Sequence, residues 1–449
     1  MRFSTAELAV GLGGQLIGPD VTIEGAGIDS RSIERGQLFV PIVADRDGHG
    51  FIPDALDAGA AAYLTSQLVV GGSAVLVPDT QAALTQLGVM ARAGLAGDAI
   101  GITGSVGKTT TKDLLGACLA SAFRTASSAR SLNNELGVPL TLVNAAEDTE
   151  WMVLEMGARG PGHIRDLVEM SRPQVGVVTS VAMAHLEFFG DLEGVFRAKS
   201  ELVVGLPESG VAVLNFDDPN VRRMAELSPG AVVSYGIDTG ADVVAARVVL
   251  TDELQPSFTL TSEWGSAEVA LRLHGFHQVS NALAAAAASL WCGVPLDGVV
   301  AALADAAGPS LRMDVRRPSR GPTLIVDCYN ANPTSTEAAL RSLAALRAAR
   351  RVALLGVMAE LGADSAEQHR RIAALAEELG IEVVGYQTDL YGPSQVATVK
   401  AAVDRATDLG SGDALLIKGS RVARLEDVVD AYGLAIDDQS FVSPWPKPR

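Results

Sequence analysis

The residues with the most chemical content lie in one short run, Gly101-Ile-Thr-Gly-Ser-Val-Gly-Lys-Thr-Thr-Thr111. It follows an apolar stretch and leads into a helical pattern over Asp113–Ala122. In a strand–loop–helix setting, glycines let backbone N–H groups turn inward around phosphate. Lys108 adds a point charge for the β- and γ-phosphates, and the Thr109 hydroxyl is placed to hold Mg²⁺. The expected contacts to a nucleoside triphosphate are Gly104, Ser105, Gly107, Lys108, Thr109 and Thr110. Ile102 stands where the common Gly-x4-Gly-Lys pattern has its first glycine, so the loop reads Thr103-Gly-x-x-Gly-Lys-Thr-Thr.

Three further side chains suit the same chemistry. Glu155 ends the apolar run Trp151–Met156, where a carboxylate holds Mg²⁺ beside such a loop. An ordinary strand-end acid is the alternative. His185 follows the run Val175–Val181, and a lone histidine is more often structural. Lys199 lies in Phe196-Arg-Ala-Lys-Ser-Glu-Leu202, and on the residues alone an exposed helix lysine is the favoured reading. An ammonium next to Mg²⁺ would be repelled, so a Lys199 near the metal must serve another anion or be modified. Carbamylation by CO₂ would make it an oxygen ligand.

The elements that position these groups follow from periodicity. Residues 1–82 read as short strands (Val21–Ile23, Gln37–Val40, Ala61–Thr65, Ala74–Val77) with a helix at Pro53–Ala60; Gln81–Ala96 reads as a connecting helix. From Asp98 the apolar runs Ala99–Thr103, Trp151–Met156, Val175–Val181 and Gly210–Asn215 alternate with helical stretches, which predicts a doubly wound parallel sheet. Val232–Leu273 reads as a small antiparallel patch, and Gln278–Cys292 as an alanine-rich helix. A second doubly wound α/β unit starts near Asp314. Its strands are Thr323–Cys328, Arg351–Gly356, Ile381–Tyr386 and Ala414–Lys418, and its helices Ser335–Ala348, Ser365–Leu379 and Val422–Ala431. The reading is three α/β domains, 1–82, 83–313 and 314–449, with a frayed Pro-rich tail at Ser443–Arg449.

Composition narrows the functional class. The net charge of −18 and pI near 4.8 argue against a broad basic face for nucleic acid. Only six lysines are present, and one is in the phosphate loop. Three widely spaced cysteines give no disulfide framework and fit a reducing cytoplasm. No apolar run reaches about 18 residues, so no membrane insertion is expected; the first residues lack a secretory signal pattern.

Eight motifs occur in order: Gly104-x-x-Gly-Lys-Thr-Thr-Thr-Lys-Asp113, Asn133-Asn-Glu-Leu-Gly-Val-Pro139, Glu155-Met-Gly-Ala-Arg159, Ala184-His-Leu-Glu187, Ala198-Lys-Ser-Glu201, Asn281-Ala-Leu-Ala284, Tyr329-Asn-Ala-Asn-Pro333 and Lys418-Gly-Ser-Arg421. Together they resemble the muramyl ligase family of peptidoglycan synthesis, and the likeness spans nearly the whole chain. The pattern is most similar to the branch that adds D-alanyl-D-alanine. The resemblance implies an ATP-dependent ligase that joins this dipeptide to UDP-N-acetylmuramoyl-tripeptide through an acyl phosphate, as a cytoplasmic monomer. It implies that the first domain holds the UDP moiety, with Ser30, Arg31 and His49 as candidates. Two magnesium sites would be built from Thr109, Glu155, His185 and a carbamylated Lys199, which reverses the reading of Lys199 made from residues alone. Lys108 with Glu155, His185 and Lys199 would form the catalytic set. Asn281 and Arg312 would help bind ATP, and Asp327 its ribose. Asn133, Asn134, Tyr329, Asn330, Asn332, Lys418, Ser420 and Arg421 would face the dipeptide or serve closure of the third domain.

The chain departs from that pattern at Gln278 and Ser180, where asparagine is usual, at Val357, where aspartate is usual, and at Val326, where an acid is expected beside Asp327. These fall on the adenine contacts and on closure, away from the metal constellation. The rival readings are a diamino-acid-adding ligase, whose Asp-Asn-Pro-Arg signature is missing, a folylpolyglutamate synthase, and a non-catalytic nucleotide-binding relative. A phosphate-loop kinase or ATPase would leave Glu155, His185 and Lys199 without a shared purpose.

Overall fold

Valine- and isoleucine-rich runs with no polar alternation can be stable strands only if both sheet faces are covered, and the middle of the chain meets that condition. A computed structural model describes residues 1–129, 132–183, 186–237 and 240–436. Its largest sheet has nine strands. In spatial order they are Gly265–Ala270, Pro256–Ser262, Val243–Leu250, Ala231–Ile237, Val211–Asn215, Val175–Val178, Asp98–Thr103, Trp151–Glu155 and Thr125–Ser127. The last seven are parallel; only the Pro256–Ser262 and Gly265–Ala270 pairings are antiparallel.

One face of this sheet is covered by Lys108–Ala120 and Gln278–Trp291, which pack on each other. The run Ala284–Ala288 is fully buried there, because small side chains let the helix approach its neighbours closely. The other face carries Thr80–Gly94, Gly137–Asn144, His163–Ser171 and Leu192–Val204. That second core is continuous with the N-terminal unit: Leu8, Ile23, Leu38 and Leu64 belong to the same cluster as Leu154 and Leu202.

The N-terminal unit has a five-stranded sheet ordered Gln15–Ile17, Ala74–Leu76, Ala62–Thr65, Leu38–Phe39, Ala26–Gly27, parallel apart from the first pair. The C-terminal unit has six strands, ordered Asp314–Arg316, Thr323–Asp327, Ala414–Lys418, Arg351–Leu355, Glu382–Tyr386 and Gln395–Val396; only the Asp314–Arg316 pairing is antiparallel.

The α/β architecture therefore matches the sequence reading, with corrections. The phosphate-loop helix begins at Lys108, not Asp113, because Gly107 caps it in a left-handed conformation. The segment expected to form an antiparallel patch is an extension of the main sheet, and its first strand, Ala231–Ile237, is parallel to both neighbours. The last described helix spans Glu426–Ala435; Arg421–Ala423 is a separate 3₁₀ turn. The helices Thr5–Gly11 and Val399–Thr407 were not anticipated. The tail at Ser443–Arg449 lies outside the described residues.

Candidate active site

The chain leaves the central strand Asp98–Thr103 toward one edge, then crosses it between Trp151–Glu155 and Val175–Val178. Ligands bind at such a reversal, beyond the strand C-termini. Three loops meet there: Gly104–Gly107, the segment after Glu155, and Thr179–Met183.

The phosphate loop is tied to its neighbour strand. Thr179 Oγ1 donates to Val106 O (2.6 Å), Val106 N to Ser180 Oγ (3.0 Å) and Ala182 N to Ser105 Oγ (2.9 Å). Ser180 thus supplies a contact to the loop from a position where asparagine was expected. Gly104 is at φ 144°, and a Cβ there would overlap Thr179 Oγ1. Since Gly107 ends the loop, the first N–H groups of the Lys108–Ala120 helix, including those of Thr109 and Thr110, have no intrahelical partner and open toward an anion. Both threonines are buried. Lys108 Nζ donates to Gly104 O (2.6 Å), and the surrounding protein lowers its pKa, chiefly by desolvation, with Glu155 opposing and Arg312 assisting.

Glu155 is only 1 % exposed. Its Oε1 accepts from Asn133 Nδ2 (2.8 Å), while Oε2 is buried with no hydrogen-bond partner. A half-satisfied buried carboxylate is costly unless a cation completes it. Asn133 is thus placed on the carboxylate; its carbonyl also accepts from Gly157 N (2.7 Å). Asn134 Oδ1 accepts from Leu136 N and Gly137 N, at the start of the following helix.

Lys199 lies on the inner face of Leu192–Val204, 2 % exposed. Burial, and then the Lys108 charge, push its pKa down to about 7, against the pull of Glu201 and Glu155. Lys108, Glu155 and Lys199 are therefore within electrostatic reach of one another. His185 lies outside the described residues. Among the described residues, no three His, Cys, Asp or Glu side chains converge. Among the described residues, the groups that fit a magnesium ion are Glu155 Oε2 and the Thr109 hydroxyl.

The C-terminal unit borders this site. Leu311 and Met313 both take left-handed backbone angles (φ 61° and 49°) on either side of Arg312. Leu311 O accepts from Tyr329 N, and Met313 N donates to Asp327 Oδ1 (3.3 Å). The Arg312 guanidinium lies 4.3 Å over the Tyr329 ring. Lys418 Nζ donates to Asp327 Oδ2 (2.6 Å) and Asn330 O (3.0 Å). Asn332 caps the helix Pro333–Ala345, Ser420 Oγ donates to Ala331 O, and Arg421 pairs with Glu426 (3.3 Å). The same unit touches the Thr179–Met183 loop, through Gln368 Nε2 and Met183 Sδ (3.9 Å).

The N-terminal candidates are placed apart from these contacts. Arg31 is exposed and clamps Asp29 (2.8 and 2.6 Å), with Ser30 partly exposed between them. His49 is buried; its Nε2 accepts from Ser66 N (3.0 Å), so its Nδ1 donates to Asp47 Oδ1 (2.7 Å).

Two structural contributors, Lys112 and Thr179, were not singled out from sequence. Lys112, buried, donates to Ser128 O (2.7 Å) and pairs with Asp113 (2.9 Å). Thr179 binds the phosphate loop, and Gln278, noted from sequence only as a departure from the family pattern, binds Asn281. The scarcity of lysine was a signal for Lys112; nothing local marks Thr179.

Comparison with known proteins agrees with this geometry. The family profile described as Mur ligase middle domain matches residues 102–289, and that described as Mur ligase, glutamate ligase domain matches 311–421. UDP-N-acetylmuramoyl-tripeptide–D-alanyl-D-alanine ligase of Mycobacterium tuberculosis (strain H37Rv) is 39% identical over 470 residues, covering 91% of this chain and 92% of the relative. A crystal structure of MurF from Acinetobacter baumannii superposes with TM-score 0.88 at 29% identity, covering 96% of this chain and 99% of that one. MurF ligase from Thermotoga maritima, solved in complex with ADP, superposes with TM-score 0.81 at 28% identity, covering 92% and 98%.

Proposed function

Because the chain belongs to the Mur ligase family, we propose that it is the ATP-dependent ligase that adds D-alanyl-D-alanine to UDP-N-acetylmuramoyl-tripeptide in cytoplasmic peptidoglycan precursor synthesis. The observation that carries the chemistry is Glu155: a buried carboxylate with one unpartnered oxygen, at the strand end beside the phosphate-loop strand.

The tripeptide's terminal carboxylate attacks the γ-phosphorus of ATP, the bond to the bridging oxygen breaks, and ADP leaves. The dipeptide amine then attacks the acyl carbon, losing a proton, and phosphate departs as the amide forms. Two anions must meet in the first step. Lys108 and the helix N-terminus offset their repulsion and hold the phosphates in line. Magnesium in two sites, when bound, would neutralise the developing charge on the phosphoryl and acyl oxygens. Thr109, Glu155, His185 and Lys199 would hold it. Lys199 would do so as a carbamate, formed when its neutral amine attacks CO₂ and loses a proton; a pKa near 7 keeps that amine available. Asn133 would orient Glu155. Asn281, Arg312 and Asp327 would serve ATP, the N-terminal unit with Ser30, Arg31 and His49 the UDP group, and Arg421 the dipeptide carboxylate. We assign the domains to 1–82, 83–313 and 314–449 and the working form to a monomer. The contacts of the C-terminal unit would exclude water from the acyl phosphate.

The test is phosphate release from ATP with each substrate omitted in turn. Release that needs both the UDP-tripeptide and D-alanyl-D-alanine is expected. Release independent of the dipeptide would overturn the reading.

A further inference from the structure

Gln278 and Asn281 are both buried in the first turn of the Gln278–Trp291 helix, although neither polar side chain can be placed there without cost. Gln278 Oε1 accepts from Asn281 Nδ2 at 2.8 Å. That bond fixes which way the Asn281 amide points: its Oδ1 faces the phosphate-loop helix, where it accepts from Thr111 Oγ1 at 3.5 Å. The same oxygen lies against Gly107, so closely that a Cβ at 107 would overlap it. Gly107 (φ 86°) is the residue whose left-handed turn aims the first helical N–H groups. A short polar chain therefore runs from Gln278 through Asn281 to the turn that precedes Lys108.

We propose that Gln278 is a positioning residue: by holding the Asn281 amide in one orientation it sets the conformation of the phosphate loop and hence the affinity for the nucleotide. This rests on the reading that the loop binds ATP. Reach is part of the argument. The bond is made by the full glutamine side chain at 2.8 Å, and an asparagine at 278 is one methylene shorter. Without that bond only the long Thr111 contact orients the amide, and a flipped amide would put NH₂ against Gly107 and Thr111.

The full-length protein is tested as wild type, Gln278→Met, Gln278→Asn, Asn281→Ala and the Gln278→Met/Asn281→Ala double variant. Methionine keeps the volume and removes the acceptor. Calorimetric binding of ATP with magnesium should weaken about 5- to 30-fold in Gln278→Met and in Gln278→Asn, the loss of one buried hydrogen bond. The KM for ATP should rise in step with little change in kcat, since the bond is present in ground and transition states alike. In the Asn281→Ala background, Gln278→Met should add nothing. Wild-type ATP affinity in Gln278→Met, or an equal loss with and without Asn281, overturns the proposal and leaves a packing role. Failure of the wild type to bind ATP overturns the nucleotide reading itself, and this inference with it.

Discussion

Lys418 and Asp327 are register partners at the C-terminal ends of adjacent parallel strands, and their side chains meet at 2.6 Å in the interior of the C-terminal unit. Lys418 is 1 % exposed. A buried pair of this kind contributes little against an apolar pair, but removing one partner leaves a charge stranded. Asp327→Asn and Lys418→Met should each lower stability by about 3–5 kcal/mol, and Asp327→Leu/Lys418→Met by clearly less. Urea midpoints of the three variants decide this; equal or additive losses would show that the pair is not coupled. Because Asp327 Oδ1 also accepts from Met313 N, Asp327→Asn should weaken ATP binding through the linker that presents Arg312.

What could be read in the sequence was local or strongly periodic. The phosphate loop, the fully apolar strands and the alanine-rich helix each carry their signal within about fifteen residues. The helix start at Lys108 was missed because Lys-Thr-Thr-Thr has mediocre helix propensity and the loop, not the side chains, nucleates it. The Val232–Leu273 segment looked separate, since nothing local says which edge a strand will join. The site contacts were the least legible. Asn133 meets Glu155 across 22 positions, and Lys418 meets Asp327 across 91. Sequence marks such residues as chemically apt but not as neighbours; that information lies in the strand order.

Glu155 separates function from stability. Its uncompensated Oε2 raises the cost of keeping a carboxylate there in the metal-free protein. Glu155→Gln should therefore leave the metal-free melting temperature unchanged or raise it, with a gain of about 1 kcal/mol. Amide formation should fall at least ~100-fold, as expected when a metal ligand is lost. Thermal melts with and without Mg²⁺ and nucleotide, next to turnover, check both halves. A variant that ligates at the wild-type rate would exclude the metal role.

The amine of Lys199 has a pKa near 7, so it is about half neutral at that pH and largely charged at pH 6. Only the neutral form takes up CO₂. With ¹³C-bicarbonate, a carbamate resonance is expected that is strong at pH 8, diminished at pH 6, and missing from Lys199→Ala. That variant should lose activity and bicarbonate should not restore it, because no amine remains. Full activity in Lys199→Ala would refute the carbamate.

His277 gives a stability signature at acid pH. It sits at the start of the alanine-rich helix, and desolvation lowers its pKa to about 4, with Asp327 opposing and Lys418 assisting. In the unfolded chain a histidine titrates near 6.5. Between these values the unfolded state binds more protons than the native state, so unfolding free energy falls as pH drops through 6.5 toward 4 and changes no further from this group below that. At full burial the loss would approach about 3 kcal/mol; His277 as a residue is partly exposed, which makes that an upper bound. Carboxylates titrate in the lower half of the window, so the wild type alone does not isolate the effect. The difference in urea midpoint between wild type and His277→Gln at pH 7, 5.5 and 4.5 does. The variant should lose less stability than the wild type at each step down; parallel losses would show that His277 is protonated at no cost to the fold.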